Sequence, residues 1–263
     1  MNQVRAGAAT DVGCHRVLNE DAFLAGRRLF VVADGMGGHA AGDVASRLTI
    51  EVLKRADSSD LNLEMLRQSV SEANTIVLDY ARANPESQGM GCTVAGVCLV
   101  ESAGRPHWAV FNLGDSRVYA WDDHRLTQVT TDHSEVQELV DAGKLTSEEA
   151  RVHPERNVVT RAIGEMPPAV LDLVLVPVIA GQRLLVTTDG LTSEVVDAEI
   201  AAILRDARDP QLAAERLIAR AIEAGGHDNI TVVVVDVSDT ERPVGVGAST
   251  TVPRGLIARE TVS

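Results

Sequence analysis

A chain of 263 residues with 45% hydrophobic and 24% charged residues has the make-up of a soluble globular protein, with apolar material for one large or two small domains. Its 24 Lys and Arg against 38 Asp and Glu leave a formal net charge of -14, and aromatic residues are only 3%, which argues against a nucleic-acid partner on both charge and stacking grounds. Neither a signal-peptide pattern nor a run of about eighteen apolar residues occurs, so no membrane association is expected and the expected location is the cytoplasm.

In chain order, β-rich and alternating runs predict strands over 4–10 and 29–33, followed by two helices over 39–55 and 63–83 whose apolar residues recur at three- and four-residue intervals. Strands over 93–100, 108–112 and 117–121 come next, then a polar, partly helical segment with a helix at 136–142. Strands over 170–176 and 183–187, a second pair of helices over 199–207 and 211–224, and a last strand over 230–237 complete the pattern. Helices arriving in pairs between strands fit an α+β domain with helices outside a mostly antiparallel sheet system. Residues 134–164 read as a flap inserted over one end of the sheet, and 239–263, rich in Gly, Pro and Thr without a sustained period, as a flexible tail. Cys14, Cys92 and Cys98 lack metal-ligand spacing; the last two, on one extended strand, would lie about 20 Å apart, so all three are expected to be free, buried or half-buried thiols.

The chemistry gathers where strands end. In "LFVVADGMGG" an apolar strand runs into Asp34; "LLVTTDG" delivers Asp189 in the same way, "NLGDSRVY" places Asp115 after Gly114, "GGHDNITVVVV" puts Asp228 directly before a strand, and "CHRVLNEDAF" offers Glu20 and Asp21 beside Arg16. One strand-end Asp is ordinarily a turn residue, but five acidic sites would repel one another unless cations neutralise them. An all-oxygen donor set selects Mg²⁺ or Mn²⁺ over zinc, and the unobstructed Gly35 carbonyl can turn toward an ion that Asp34 also binds. "DGMGG" satisfies neither the P-loop nor the dinucleotide fingerprint. Arg16 suits bidentate capture of a phosphate, with a surface ion pair to Glu20, four residues on, as the alternative.

The ordered set "RVLNEDAF", "VVADGMGGHAAGDVAS", "GMGCTVAGV", "NLGDSRVY", "VTTDHS", "LLVTTDGLT" and "GGHDNITVVVV" resembles the bacterial protein phosphatase 2C family of metal-dependent serine/threonine phosphatases over about residues 4–237. The resemblance implies a four-layer α-β-β-α sandwich, with residues 1–238 as the catalytic domain including the flap. It implies two Mn²⁺ or Mg²⁺ ions, bridged by Asp34 and bound by the Gly35 carbonyl, Glu20, Asp189 and Asp228, partly through water. Asp21 and Asn229 would be supporting residues, and Arg16 would hold the substrate phosphate. The reaction it implies is attack on phosphorus by a water that the ions activate, with Arg16 and Asp34 as the catalytic groups and no protein nucleophile. Two departures from the family pattern stand out. Met36 occupies the place of a histidine found in animal relatives, with His39 expected to pack at the start of the next helix. Ser193, followed by Glu194, replaces an aspartate that would join Asp115 at a third ion, so that ion is expected to be weak or absent. His133 and His153 lack ligand spacing and are expected at the surface or in packing. The implied partners are phosphorylated proteins and a serine/threonine kinase that makes them, with the chain as a monomer. The alternative, a catalytically silent regulatory domain of the same fold, would show loss of core ligands, and all of them are present.

Overall fold

The apolar runs become strands buried on both faces in the computed structural model, which describes residues 4–37, 41–122 and 125–238. Strands β1 (Val4–Asp11), β2 (Ala22–Ala25), β3 (Leu29–Ala33) and the two-residue β4 (Gly35–Met36) precede helices α1 (Gly42–Ala56) and α2 (Leu63–Ala83). Then come β5 (Gly91–Cys92), β6 (Val94–Ser102), β7 (Arg105–Leu113), β8 (Arg117–Trp121), β9 (Leu126–Gln128), and the short helices α3 (Glu135–Asp141) and α4 (Ser147–Arg151). The chain continues through β10 (Asp172–Pro177), β11 (Arg183–Thr187), the single turn α5 (Asp189–Thr192), α6 (Asp197–Asp206), α7 (Pro210–Ala224) and β12 (Ile230–Val237).

Two five-stranded sheets, in the orders β1-β12-β11-β8-β9 and β10-β7-β6-β3-β2, form the centre, and their strand pairs are antiparallel. Because side chains alternate along a strand, a strand covered on both sides is apolar throughout. In β3, Phe30 and Val32 point between the sheets, where they cluster with Trp108 and Val110 of their own sheet and with Val186 and Val233 of the opposite one, whereas Leu29, Val31 and Ala33 pack under the first helix pair with Leu53, Leu66 and Val77. In β12, Val233 and Val235 point between the sheets, and Val232 and Val234 point to Leu191, Ile200 and Leu217 of the second helix group. The architecture is thus the α-β-β-α sandwich of an α+β protein. The helices start where local chemistry directs: Asn62 accepts from Met65 N–H (3.0 Å) ahead of α2. Asp209 accepts from Gln211 and Leu212 N–H (3.0 and 3.1 Å) ahead of Pro210 in α7.

The flap leaves and returns through adjacent backbone: Glu135 N–H donates to Val158 C=O (3.0 Å) and Thr160 N–H to His133 C=O (2.9 Å), so α3 and α4 form an excursion between β9 and β10. Cys92 and Cys98 are buried thiols pushed up to about 12 by burial. Cys14 departs from the sequence expectation: it is exposed, because its loop projects from the sandwich after β1. The predicted helix start at 39 and the role given to His39, like the tail at 239–263, lie outside the described residues. Among the described residues, no helix is long and apolar enough to cross a membrane.

Candidate metal and phosphate site

Strands β3, β7 and β11 end, and β12 begins, at the same end of the sandwich, which brings Asp34, Asp115, Asp189 and Asp228 together from distant parts of the chain. Each is fixed by its backbone or its neighbours. Asp34 N–H donates to Thr93 Oγ1 (3.1 Å) and its carbonyl accepts from Thr93 N–H (2.9 Å), while Thr93 Oγ1 lies 2.7 Å from Ser116 Oγ. Glu20 donates its N–H to Asn229 Oδ1 (2.7 Å), and its carbonyl accepts from Gly35 N–H (3.2 Å) and Ser46 Oγ (2.6 Å). Asn229 Nδ2 donates to the carbonyls of Val12 and Leu18, both at 3.0 Å, and so closes the loop that carries Arg16. Asp21 Oδ2 accepts from Thr188 Oγ1 at 2.9 Å.

Arg16 lies 2.8 Å from Asp228 Oδ2, and this contact closes the question of an ion pair with Glu20: the partner is the acid that precedes β12, and Glu20 acts on Arg16 only through its charge. Side-chain exposures of 50% and 34% leave the pair open to solvent, where such a contact contributes roughly 0–1 kcal/mol and is readily exchanged.

Among the described residues, the interior of the site holds no uncommitted positive charge. Burial, with the neighbouring carboxylates adding to it, pushes Asp34 and Asp115 well above the usual carboxylate range, and Asp189 also rises. Burial carries Asp21 up to about 7. Arg117, the half-buried cation beside the cluster, is committed elsewhere: it forks onto Asp132 (2.6–3.0 Å) and donates to Tyr119 Oη (3.0 Å).

The donors fit hard divalent cations. Among the described residues, no three His, Cys, Asp or Glu side chains are arranged to hold an ion unaided; a mixed set of carboxylates, one backbone carbonyl and water does not need such an arrangement. A Cβ at Gly42 would lie 2.6 Å from Glu20 Oε1 and 2.8 Å from the Gly35 carbonyl oxygen, so the bare glycine leaves two unlike oxygens facing one gap. Asp21 Oδ1 and Asp43 Oδ1 are buried without a partner, as acceptors awaiting a cation or its water would be. Sequence reasoning passed over Asp43, although it stands in the same glycine-rich stretch and its charge adds to the rise in the Glu20 carboxyl.

Asp115, Asp189 and Ser193 line one cleft of about 340 Å³ that runs out to Arg151 and Arg156 of the flap. Glu194 turns away from it and bonds to His227. Of the remaining histidines, His133 is buried, and His153 Nδ1 accepts from Glu155 N–H (3.2 Å) within the flap.

Protein phosphatase 2C is the family whose pattern matches, over residues 15–230. The serine/threonine protein phosphatase PstP of Mycobacterium tuberculosis is 39% identical over 256 residues, covering 93% of this chain and 48% of that protein, so the chain spans about half the length of this relative. The serine/threonine phosphatase stp of Listeria monocytogenes is 36% identical over 221 residues, covering 81% of this chain and 86% of its own length. The crystal structure of the PstP catalytic domain in complex with two manganese ions superposes with a TM-score of 0.83 at 37% identity, covering 91% of this chain and 100% of that one.

Proposed function

Because the chain belongs to the protein phosphatase 2C family, we propose that it hydrolyses phosphoserine and phosphothreonine in proteins with the help of two divalent cations held at the carboxylate end of the sandwich. The observation that carries this reading is the uncompensated cluster of the half-buried Asp34 and Asp189 and the buried Asp115, with a solvent-facing guanidinium, Arg16, beside it. Asp34, Asp189, Asp228, Glu20 and the Gly35 carbonyl would hold the ions, with Asp21 and Asn229 in support. Bound Mn²⁺ or Mg²⁺ supplies Lewis acidity toward water and the phosphoryl oxygens at neutral pH. Arg16 exchanges Asp228 for two oxygens of the phosphate and orients it. Asn229 keeps the Arg16 loop and the Asp228 turn in register through three hydrogen bonds. The working unit in this proposal is a monomer. The PstP–manganese complex supports Mn²⁺ as a fitting ion. The named relatives support phosphoproteins as substrates; in this proposal a serine/threonine kinase makes them, in the cytoplasm.

Protein stripped by chelator should be inactive on p-nitrophenyl phosphate and on a phosphothreonine peptide, and Mn²⁺ should restore both; full activity in excess chelator would refute the reading. A third ion beside Asp115 should bind weakly, since Ser193 brings no charge to the cleft and Glu194 faces elsewhere. Ser193→Asp should tighten it in a calorimetric titration.

A further inference from the structure

Glu194 follows the turn that carries Asp189, yet it serves neither the carboxylate cluster nor the cleft. Its side chain is 11% exposed, and Oε1 accepts both from His227 N–H (3.1 Å) and from His227 Nδ1 (2.6 Å). The His227 imidazole in turn stacks on His15, with ring centroids 4.5 Å apart and planes inclined by 11°. His227 precedes Asp228, and His15 precedes Arg16. The same two loops touch once more through Cys14 N–H, which donates to Gly226 C=O at 2.7 Å. Gly225, at φ 154°, makes room: a Cβ there would lie 2.5 Å from His227 Cε1 and 2.9 Å from Glu194 Oε2.

We propose that Glu194 is a positioning residue that holds His227, and through the His227–His15 stack the neighbouring loop, so that Asp228 is set for its ion and Arg16 for the phosphate. The inference rests on the phosphatase reading for what Arg16 binds, and on the cation reading for Asp228. Two features separate this contact from an ordinary surface ion pair. The carboxylate is almost fully withdrawn from water, and one of its two donors is a backbone N–H, so the bond fixes main chain one residue from a ligand. Bonds one step removed from an ion govern its affinity in just this way, by limiting how far the ligand can stray. An acid at 194 and a histidine at 227 thus tie three segments into one rim: the turn after β11, the loop after β1 and the turn before β12.

Glu194→Ala, Glu194→Gln and His227→Ala test this in the full chain. The measurements are the Mn²⁺ dissociation constant by calorimetry, the inhibition constant of inorganic phosphate against p-nitrophenyl phosphate, and the melting temperature of the metal-free protein. Glu194→Ala should weaken Mn²⁺ about tenfold and phosphate by a similar factor, with a melting temperature close to that of the parent. Glu194→Gln, whose amide oxygen still accepts from both N–H groups, should recover most of the Mn²⁺ affinity. Should Glu194→Ala fail to fold, His227→Ala, at an exposed position, must still raise the phosphate constant. Unchanged Mn²⁺ and phosphate constants in the alanine variants would overturn the proposal, as would equal losses in Glu194→Ala and Glu194→Gln that follow a fall in melting temperature. A parent chain that binds Mn²⁺ without hydrolysing phosphate esters would defeat the phosphatase reading alone, since the Mn²⁺ constant would still report on Glu194.

Discussion

The β11–β12 pair carries buried charge at both of its ends and treats it in opposite ways. At the end away from the carboxylate cluster, Arg183 is bonded to Asp236 through two nitrogens (2.6 and 2.8 Å), and its remaining donors reach the carbonyls of Leu204, Ala207 and Arg208, where they close the C-terminus of α6. At the other end Asp34, Asp189 and Asp115 repel one another, each raised above the usual carboxylate range by burial and by its neighbours' charge, and the nearby guanidiniums of Arg16 and Arg117 are already paired. Desolvated charge is tolerable when the protein itself supplies partners, and a cluster without them is a place prepared for a ligand. The same two strands therefore anchor the fold at one end and give up stability for function at the other.

Substitutions at the two ends should separate these roles. The largest effect is expected for Asp34→Ala or Asp189→Ala, each of which should lower turnover of p-nitrophenyl phosphate by about 10⁴-fold, ~5 kcal/mol of transition-state stabilisation. In metal-free protein the melting temperature should stay level or rise, because a buried charge without a partner has gone; a marked fall would place these carboxylates among the fold's supports and dissolve the contrast. Next in size, Arg183→Ala should destabilise the domain by about 3–5 kcal/mol in urea titrations, since it leaves Asp236 with only the more distant and exposed Arg5 (3.9 Å) and strands three helix-end carbonyls. Its folded fraction should bind Mn²⁺ as the parent does, and altered Mn²⁺ affinity would show that the two ends are coupled. Arg16→Ala should then cost roughly 2–3 kcal/mol in phosphate inhibition, with Mn²⁺ binding nearly intact. An unchanged inhibition constant would return Arg16 to the status of a surface partner of Asp228.

The contrast also marks what a reader of the sequence can and cannot see. Runs such as Leu29–Ala33 and Ile230–Val237 announce themselves because both faces are covered, and acids at their ends break an apolar pattern conspicuously. The edge strands β2 and β9 escape notice: four and three residues of mixed character, each paired on one side, leave too short a period to recognise. Partnerships across the chain are hidden for a different reason. Arg16 meets Asp228 from 212 positions away, whereas the i to i+4 spacing to Glu20, which the sequence displays, is not used for a contact. Glu194 is equally deceptive, since its neighbour Ser193 faces the cleft while it faces His227, a choice made by the direction in which the chain leaves α5. The exposure of Cys14 follows from a loop excursion that composition does not encode.

A third treatment of buried titratable groups, neutrality, appears at His133 and gives the smallest of the expected effects. The ring is 5% exposed; Nδ1 accepts from Gly114 N–H at 3.1 Å and Nε2 lies 3.2 Å from Asp172 Oδ2, so the neutral ring carries its proton on Nε2. A second proton would have to enter at Nδ1, against an N–H that already points there. Burial therefore lowers the imidazole below its ordinary 6.5, the Arg161 guanidinium near Nε2 works in the same direction, and Asp172 and Asp132 oppose it. The sign of the linkage follows. Above 6.5 neither state is protonated and the full stability is present; as pH falls below 6.5 the unfolded chain takes up a proton that the folded one refuses, so stability is lost down to the lowered native value. His133→Gln keeps an acceptor for Gly114 and does not titrate. Urea midpoints of the parent and this variant, both in excess chelator and between about pH 7.5 and 5.5, should diverge as acid is added, with the parent losing more. Parallel curves would mean that folding leaves the proton affinity of His133 unchanged, and a parent that gains stability over the variant as acid is added would mean that the ring is protonated in the folded state and that Asp172, not Gly114, decides its charge.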